Sequence, residues 1–237
     1  MTAALNGKRV LITGGAIRVG AVIAKAFADA GAQVVIHCCR HAEEASQLPA
    51  EKILCCDLTE PGAPEKLIAD AGPLDILVNN ASAYVRTPFL DESDEDVRKM
   101  LDINFLAPLS LMKAFARAYS GRDGIIINLL DQAVSGHAPD AFGYLVSKKA
   151  LADATESAAL ALAPRIRVNG IAPGPVLPPP GLEHLKMEST LKRVPLQRSV
   201  PPEDIAQTAL FLATCTSITG AILYADGGQH LFETHHP

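Results

Sequence analysis

Seven short runs rich in Val, Ile, Leu and Ala punctuate the chain, and most are separated by longer segments with helical spacing of apolar positions. The runs Arg9–Thr13, Gln33–His37, Lys52–Cys56, Asp75–Asn79, Gly124–Asn128, Arg167–Ile171 and Ala221–Ala225 read as strands. Most are nearly continuous in apolar character rather than alternating, the pattern of strands covered on both faces. Helices are predicted over Arg18–Ala30, Ala63–Ala71, Asp94–Ser120, Phe142–Ala163 and Pro202–Thr214. The one starting at Asp94 opens on acidic residues, which suit the positive end of a helix dipole. Such alternation predicts one α/β domain over residues 1–237: a doubly wound, mainly parallel seven-stranded sheet with helices on both faces. The stretch from Pro173 to Pro195 breaks the alternation, with Pro173-Gly-Pro175, Pro178-Pro-Pro180 and a short amphipathic piece, Glu183–Lys192. It follows the C-terminal end of a strand, where ligands bind in open α/β sheets, so residues 175–195 read as a substrate-covering loop.

Composition narrows the function classes. With 237 residues, 49% of them hydrophobic, the chain can bury a large core. The net charge of −5 carries no long run of one sign, which argues against nucleic acid as the main partner. No apolar stretch reaches the roughly 20 residues that span a bilayer. Met1 to Lys8 lack the basic start and apolar run of a signal peptide. These features imply a cytoplasmic protein that acts on a small molecule, away from membranes. Cys38, Cys39, Cys55 and Cys56 form two adjacent pairs, and Cys215 lies in the last long helix. Neighbours in a strand face opposite sides, so buried thiols are expected and a metal site is not.

Chemistry first shows at the end of the first strand. Thr13-Gly-Gly-Ala-Ile-Arg-Val-Gly20 joins it to a helix, and small residues there let backbone approach a pyrophosphate at the helix N-terminus. Gly14, Ile17, Arg18 and Gly20 are the candidates. After the second strand, His37-Cys-Cys-Arg-His41 offers Arg40 and His41 and no carboxylate. A carboxylate would bind a ribose 2′-hydroxyl and repel a 2′-phosphate, whereas a guanidinium pairs with the phosphate. The cofactor expected is therefore NADPH/NADP+, with Arg18 able to reach the same phosphate or the pyrophosphate. His37 is read either as a strand-end histidine with satisfied ring nitrogens or as a phosphate ligand. Asp57 can accept from the adenine amino group beside the Leu58 backbone, and Asn79 and Asn80 can hold the sheet end and line the ribose.

Thr13-Gly14 with Gly20, Asp57, Asn79-Asn-Ala81, Asn104, Tyr144-x-x-x-Lys148, Pro173-Gly174 and Asp226-Gly-Gly228 together resemble the short-chain dehydrogenase/reductase family over nearly the whole chain. The resemblance implies Tyr144 as proton donor or acceptor. It implies Lys148 as the group that binds the nicotinamide ribose and lowers the Tyr pKa, with Asn104 relaying protons through water. It adds Ala81, Ser82, Pro173, Gly174 and Val176 to the cofactor set and implies a homotetramer. Elementary chemistry agrees with the pair: residues four apart share a helix face, and an ammonium brings a phenol of pKa about 10 toward the working range.

One position departs from the family pattern. Where a substrate-orienting Ser belongs, thirteen positions before Tyr144, stands Asp131; Ser135 is the fallback. An ionised Asp opposes the alkoxide formed in ketone reduction, but it suits reduction of a C=N bond, whose nitrogen gains a proton. This combination is similar to the pteridine reductase branch. That branch has a Thr-Gly-x-x-x-Arg-x-Gly turn, a His-x-x-Arg after the second strand, an Asp-Tyr-Lys set, and a Ser and an aromatic after Asn-Asn-Ala. Here they are matched by Arg18 in its turn, by His37 and Arg40, by Asp131, Tyr144 and Lys148, and by Ser82 and Tyr84. The expected substrate residues are thus Ser82, Tyr84, Asp131 and Tyr144, and the expected substrate is a dihydropterin of the dihydrobiopterin, dihydromonapterin or dihydrofolate type. The Pro-rich segment after Pro173 departs from that branch. Two other readings stand beside it: an NADPH-dependent carbonyl or 3-oxoacyl reductase with Asp131 protonated or turned away, and a non-catalytic NADP(H) sensor.

Overall fold

The computed structural model describes residues 4–137, 140–178 and 188–233. Seven parallel strands stand in the order β3-β2-β1-β4-β5-β6-β7. They are β1 (Arg9–Thr13), β2 (Gln33–Cys38), β3 (Lys52–Cys55), β4 (Ile76–Asn79), β5 (Gly124–Leu129), β6 (Ile166–Pro173) and β7 (Ile222–Ala225). β1 pairs on one side with β2, Thr13 opposite His37, and on the other with β4, Ile12 opposite Val78. The strand order reverses there, which opens a crevice at the C-terminal ends of the strands.

The unbroken apolar runs follow from burial on two faces. Val10, Leu11 and Ile12 are all fully buried. Val10 and Ile12 pack with Phe27, Ile36 and Ile205 on one face; Leu11 packs with Leu77, Phe115 and Ile126 on the other. Helices α1 (Arg18–Asp29) and α8 (Pro202–Thr214) supply the first face, and α3 (Ala63–Ala71), α5 (Ala107–Ala118) and α6 (Phe142–Leu162) the second. The expected doubly wound architecture is what forms.

Four points depart from the sequence reading. The helix predicted over Asp94–Ser120 is three pieces: α4 (Asp94–Leu101), a π-helical turn (Asp102–Leu106) and α5. Pro108 sits in the first turn of α5, where its missing N–H removes a helical hydrogen bond and favours a break just upstream. A short helix α2 (Ala42–Ser46), with Glu43 and Glu44 in its first turn, follows the loop after β2 and was not predicted. The thiols are not uniformly buried: Cys38 is buried, Cys39 and Cys55 are exposed, and Cys56 and Cys215 lie between. β3 is the sheet edge, so the side chain of its last residue, Cys55, is open on one flank. Cys215 follows α8 rather than lying in it.

Of the expected cover over 175–195, residues 179–187 lie outside the described residues, including the first half of the amphipathic piece Glu183–Lys192. Its end forms helix α7 (Glu188–Leu191), and α9 (His230–Glu233) follows β7. Among the described residues no helix is long and apolar enough to cross a membrane.

Candidate active site

β5 delivers Leu130 and Asp131 to the crevice. Asp131 Oδ1 accepts the Ala133 backbone N–H at 2.8 Å and so caps the 3-10 turn Gln132–Ser135. That cap fixes the carboxylate and leaves Oδ2 facing α6, where it accepts the Tyr144 hydroxyl at 2.8 Å. One helical turn on, Lys148 Nζ donates to the Leu129 carbonyl at 2.8 Å and lies 5.9 Å from the centre of the Tyr144 ring. The three side chains singled out by sequence meet in one place. Ser135, the fallback, does not join them: its hydroxyl donates to the Gln132 carbonyl.

Charge states follow from this packing. Burial, with the Asp131 carboxylate beside it, pushes Tyr144 well above the ordinary phenol range. Burial pulls Lys148 down to about 8, partly opposed by Asp131. The expected lowering of Tyr144 by Lys148 is therefore reversed in the free protein. Burial disfavours the phenolate most, and the carboxylate in direct hydrogen-bond contact with the phenol adds to that effect. Tyr144 is held as a neutral phenol, a proton donor.

Asn104 sits in the π-helical turn and is fully buried. Its Oδ1 accepts from the Ser82 hydroxyl at 2.8 Å and the Ala83 N–H at 2.9 Å, and its Nδ2 donates to the Ala83 carbonyl and the Ser147 hydroxyl. Ser147 in turn donates to the Tyr144 carbonyl at 2.6 Å. Among the described residues none of these bonds reaches the Tyr144 hydroxyl or Lys148 Nζ, so the Asn104 side chain positions Ser82 and α6 rather than touching the catalytic pair. The Tyr84 ring, 40% exposed, meets Tyr144 edge-on with centroids 4.8 Å apart. Arg86 Nε donates to Asp140 at 2.7 Å and ties the loop bearing Tyr84 to the segment entering α6. Neither Arg86, Asp140 nor Ser147 was marked by the sequence reading; a charged pair 54 residues apart leaves no local signal.

The turn between β1 and α1 is built for close approach. A Cβ on Gly20 would stand 2.2 Å from the Gly14 carbonyl oxygen, so only glycine fits. Arg18, with φ of +55°, donates to the Pro178 carbonyl at 2.5 Å and so links this turn to the Pro-rich segment. Ile17 is the N-cap of α1 and carries no capping side chain, which leaves the first N–H groups of the helix open to an anion. Asn80 Nδ2 donates to the carbonyls of Thr13 and Gly14, and the Thr13 hydroxyl accepts the N–H groups of Asn80 and Ala81. Asn79 Nδ2 donates to Asn128 in the core. Both asparagines thus hold the sheet end together.

His37 is buried and its ring nitrogens are both engaged: Nδ1 accepts the Gly14 N–H and Nε2 donates to the Cys56 carbonyl. Burial lowers its pKa, so it is a neutral strand-end histidine, the first of its two readings. Arg40 is exposed at the adjoining loop, and His41 is turned to Glu44 at 2.9 Å. Asp57 Oδ1 accepts from the N–H and hydroxyl of Thr59, and among the described residues the other oxygen has no bond of its own; Leu58 is buried beside it. Across the crevice, Pro173, Gly174 and Val176 leave β6. Gly174 packs so closely that a Cβ would stand 2.7 Å from the Asp226 Cα.

Residues 15–230 match the model of a family described as enoyl-(acyl carrier protein) reductase. The chain belongs to the short-chain dehydrogenase/reductase family. Over 236 residues it is 33% identical to L-xylulose reductase of Bos taurus, covering 94% of this chain and 97% of that protein. It is 34% identical to FolM alternative dihydrofolate reductase 1 of Brucella suis, solved in complex with NADP, with TM-score 0.88 and 98% and 97% of the two chains covered. The angucycline C-6 ketoreductase LanV, solved with bound NADP, is 27% identical with TM-score 0.90 and 98% of each chain covered.

Short-chain dehydrogenase/reductases are nicotinamide-dependent oxidoreductases, and the residues here fit NADP(H). The Gly14–Gly20 turn admits backbone close to a pyrophosphate, and Asp57 keeps a free acceptor. Arg40 is an exposed cation in a loop whose own residues, Cys39 to His41, include no carboxylate.

Proposed function

We propose that this enzyme reduces a dihydropterin or a related pteridine of the dihydrofolate type with NADPH, in the cytoplasm. The 2.8 Å hydrogen bond from Tyr144 to Asp131 carries the reading. An oriented carboxylate in contact with the proton donor disfavours an alkoxide and favours a substrate nitrogen that gains a proton. Likeness to a FolM dihydrofolate reductase supports it.

The bound nicotinamide supplies the hydride. Tyr144, held neutral, gives its hydroxyl proton to the ring nitrogen next to the carbon that is reduced, and Asp131 steadies the positive charge that gathers there. Lys148, near its own pKa in the free protein, would hold the nicotinamide ribose and restore the proton to Tyr144. Tyr84 offers a flat face for the pteridine ring, with Ser82 beside it. Arg18, Arg40 and His41 would hold the cofactor phosphates.

A second reading, reduction of a ketone or ketose, is favoured by the likeness to L-xylulose reductase. With Asp131 facing Tyr144 rather than turned away, it requires that carboxyl to be protonated. The decisive experiment measures NADPH oxidation with dihydrobiopterin, dihydrofolate and L-xylulose in wild type and Asp131→Ser. Pterin turnover that collapses in Asp131→Ser supports the proposal; ketose turnover that survives it, with none on pterins, overturns it. The non-catalytic sensor has no support from a catalytic pair that is intact.

For assembly we propose a homotetramer. An apolar strip between α8 and β7, with Phe211, Ile222 and Tyr224, and the long helices α5 and α6 offer the two faces it needs. Sedimentation velocity at micromolar concentration checks it.

A further inference from the structure

Two thiols meet at the edge of the sheet that faces the 2′-phosphate loop. Cys38 ends β2 and Cys55 ends β3, and they are direct partners in the parallel register. Their Sγ atoms are 3.2 Å apart. Parallel neighbours stand about 4.8 Å apart, inside the Cα separation of about 4.4–6.8 Å that a disulfide spans. One partner is sheltered and the other open: Cys38 is 2% exposed, whereas Cys55 lies on the edge strand and faces solvent. Burial, then the contact with Cys55, raises Cys38 to about 12, which keeps it a protonated thiol. The pair adjoins the cofactor loop, because Cys38 is the last residue of β2 and Arg40 follows two residues on.

We propose that Cys38 and Cys55 form a dithiol modification site that a hydroperoxide converts to a disulfide, and that this weakens NADPH binding through the Arg40–His41 loop. The hydroperoxide transfers one oxygen to Cys55 Sγ, giving a sulfenic acid and releasing an alcohol, or water from hydrogen peroxide. Cys38 Sγ then attacks that sulfur: the S–S bond forms, the S–O bond breaks, and the hydroxyl leaves as water with the Cys38 proton. Two thiols are oxidised by two electrons in all, and the peroxide O–O bond is reduced. The sulfurs close from 3.2 Å to about 2.05 Å, which draws the end of β2 toward β3. The loop that presents Arg40 starts at that strand end and shifts with it. In a reducing compartment the site rests as dithiol, and an exposed disulfide of this kind is readily reduced again.

The test treats the purified full-length protein with stoichiometric hydrogen peroxide. Peptide mass mapping should find Cys38 joined to Cys55, with two of the five thiols lost. NADPH should bind about fivefold or more weakly by fluorescence titration, a coupling of ordinary size, and a dithiol reductant should restore it. Cys55→Ser, altered at an exposed position, should bind NADPH as the untreated wild type does and ignore peroxide. Cys38→Ala should stop Cys55 at a sulfenic acid that a dimedone probe traps. Cys55 oxidised to sulfinic acid with Cys38 still a thiol overturns the proposal, as does a bridge through Cys39 or Cys56. A Cys38–Cys55 disulfide that leaves NADPH affinity unchanged overturns the link to the cofactor.

Discussion

The Glu92 carboxylate accepts the Gly143 backbone N–H through both oxygens, at 3.0 and 3.2 Å. Helix α6 has no side-chain cap of its own at Ala141, so a residue 51 positions upstream supplies one next to Tyr144. Glu92→Ala should cost about 1 kcal/mol, the usual value of a lost cap, and lower Tm by roughly 2–4 °C. Because Tyr144 follows Gly143, kcat should fall about tenfold with little change in the KM for NADPH. Glu92→Gln should recover most of both. Unchanged kcat in Glu92→Ala would show that the cap is not needed to aim the phenol.

The buried ammonium leaves a pH signature. Lys148 is at about 8 in the fold against 10.5 for an ordinary lysine. Between those values the unfolded chain binds more protons than the folded one, so stability from this group rises with pH, and below 8 the cost of burying the charge is fully present. Tyr144 acts in the opposite sense, but its raised pKa places that loss above pH 10. Urea unfolding at pH 7.5 and 9.5 should therefore show wild type gaining on Lys148→Met as pH rises. A difference independent of pH would rule out a depressed Lys148.

Arg40 should decide between the two nicotinamide cofactors. Removing a guanidinium that binds a phosphate costs about 1.5–3 kcal/mol, so Arg40→Ala should weaken NADPH roughly 10- to 100-fold. NADH, which lacks the phosphate, should be unaffected. Parallel titrations with both cofactors at low and physiological salt measure this, and the NADPH loss should shrink as salt rises.

The Tyr84 ring, rather than its hydroxyl, should serve the substrate. Tyr84→Phe should act as wild type, whereas Tyr84→Ala should raise the pterin KM about 3- to 10-fold, the worth of one aromatic stacking pair. Equal losses in both variants would point to the hydroxyl instead.

Much of this was legible beforehand, and the reasons for the exceptions are physical. A fully covered parallel strand must be apolar at every position, so Ile125, Ile126 and Ile127 announced β5 without any structure. Asp131, Tyr144 and Lys148 were legible because fixed spacing on one strand end and one helix places them together. The π-helical turn was hidden because apolar spacing runs through it, although Pro108 marked the break. Glu92, the Arg86–Asp140 pair and the Cys38–Cys55 contact depend on partners distant in sequence, and no local pattern records them. The sign of the Tyr144 shift needed its burial and its contact with Asp131, which spacing alone does not supply.

The crossover beside β1 also bears on how such an enzyme diversifies. The residues proposed to read the nucleotide, Arg40 at its 2′-phosphate and Asp57 at its adenine, follow β2 and β3, whereas Asp131, Tyr144 and Lys148 come from β5 and α6, with β1 and β4 standing between. Neither group shares a hydrogen bond with the other among the described residues. Selection can therefore retune which electron carrier is used without disturbing which molecule is reduced, and the two traits are inherited as separate modules on one sheet.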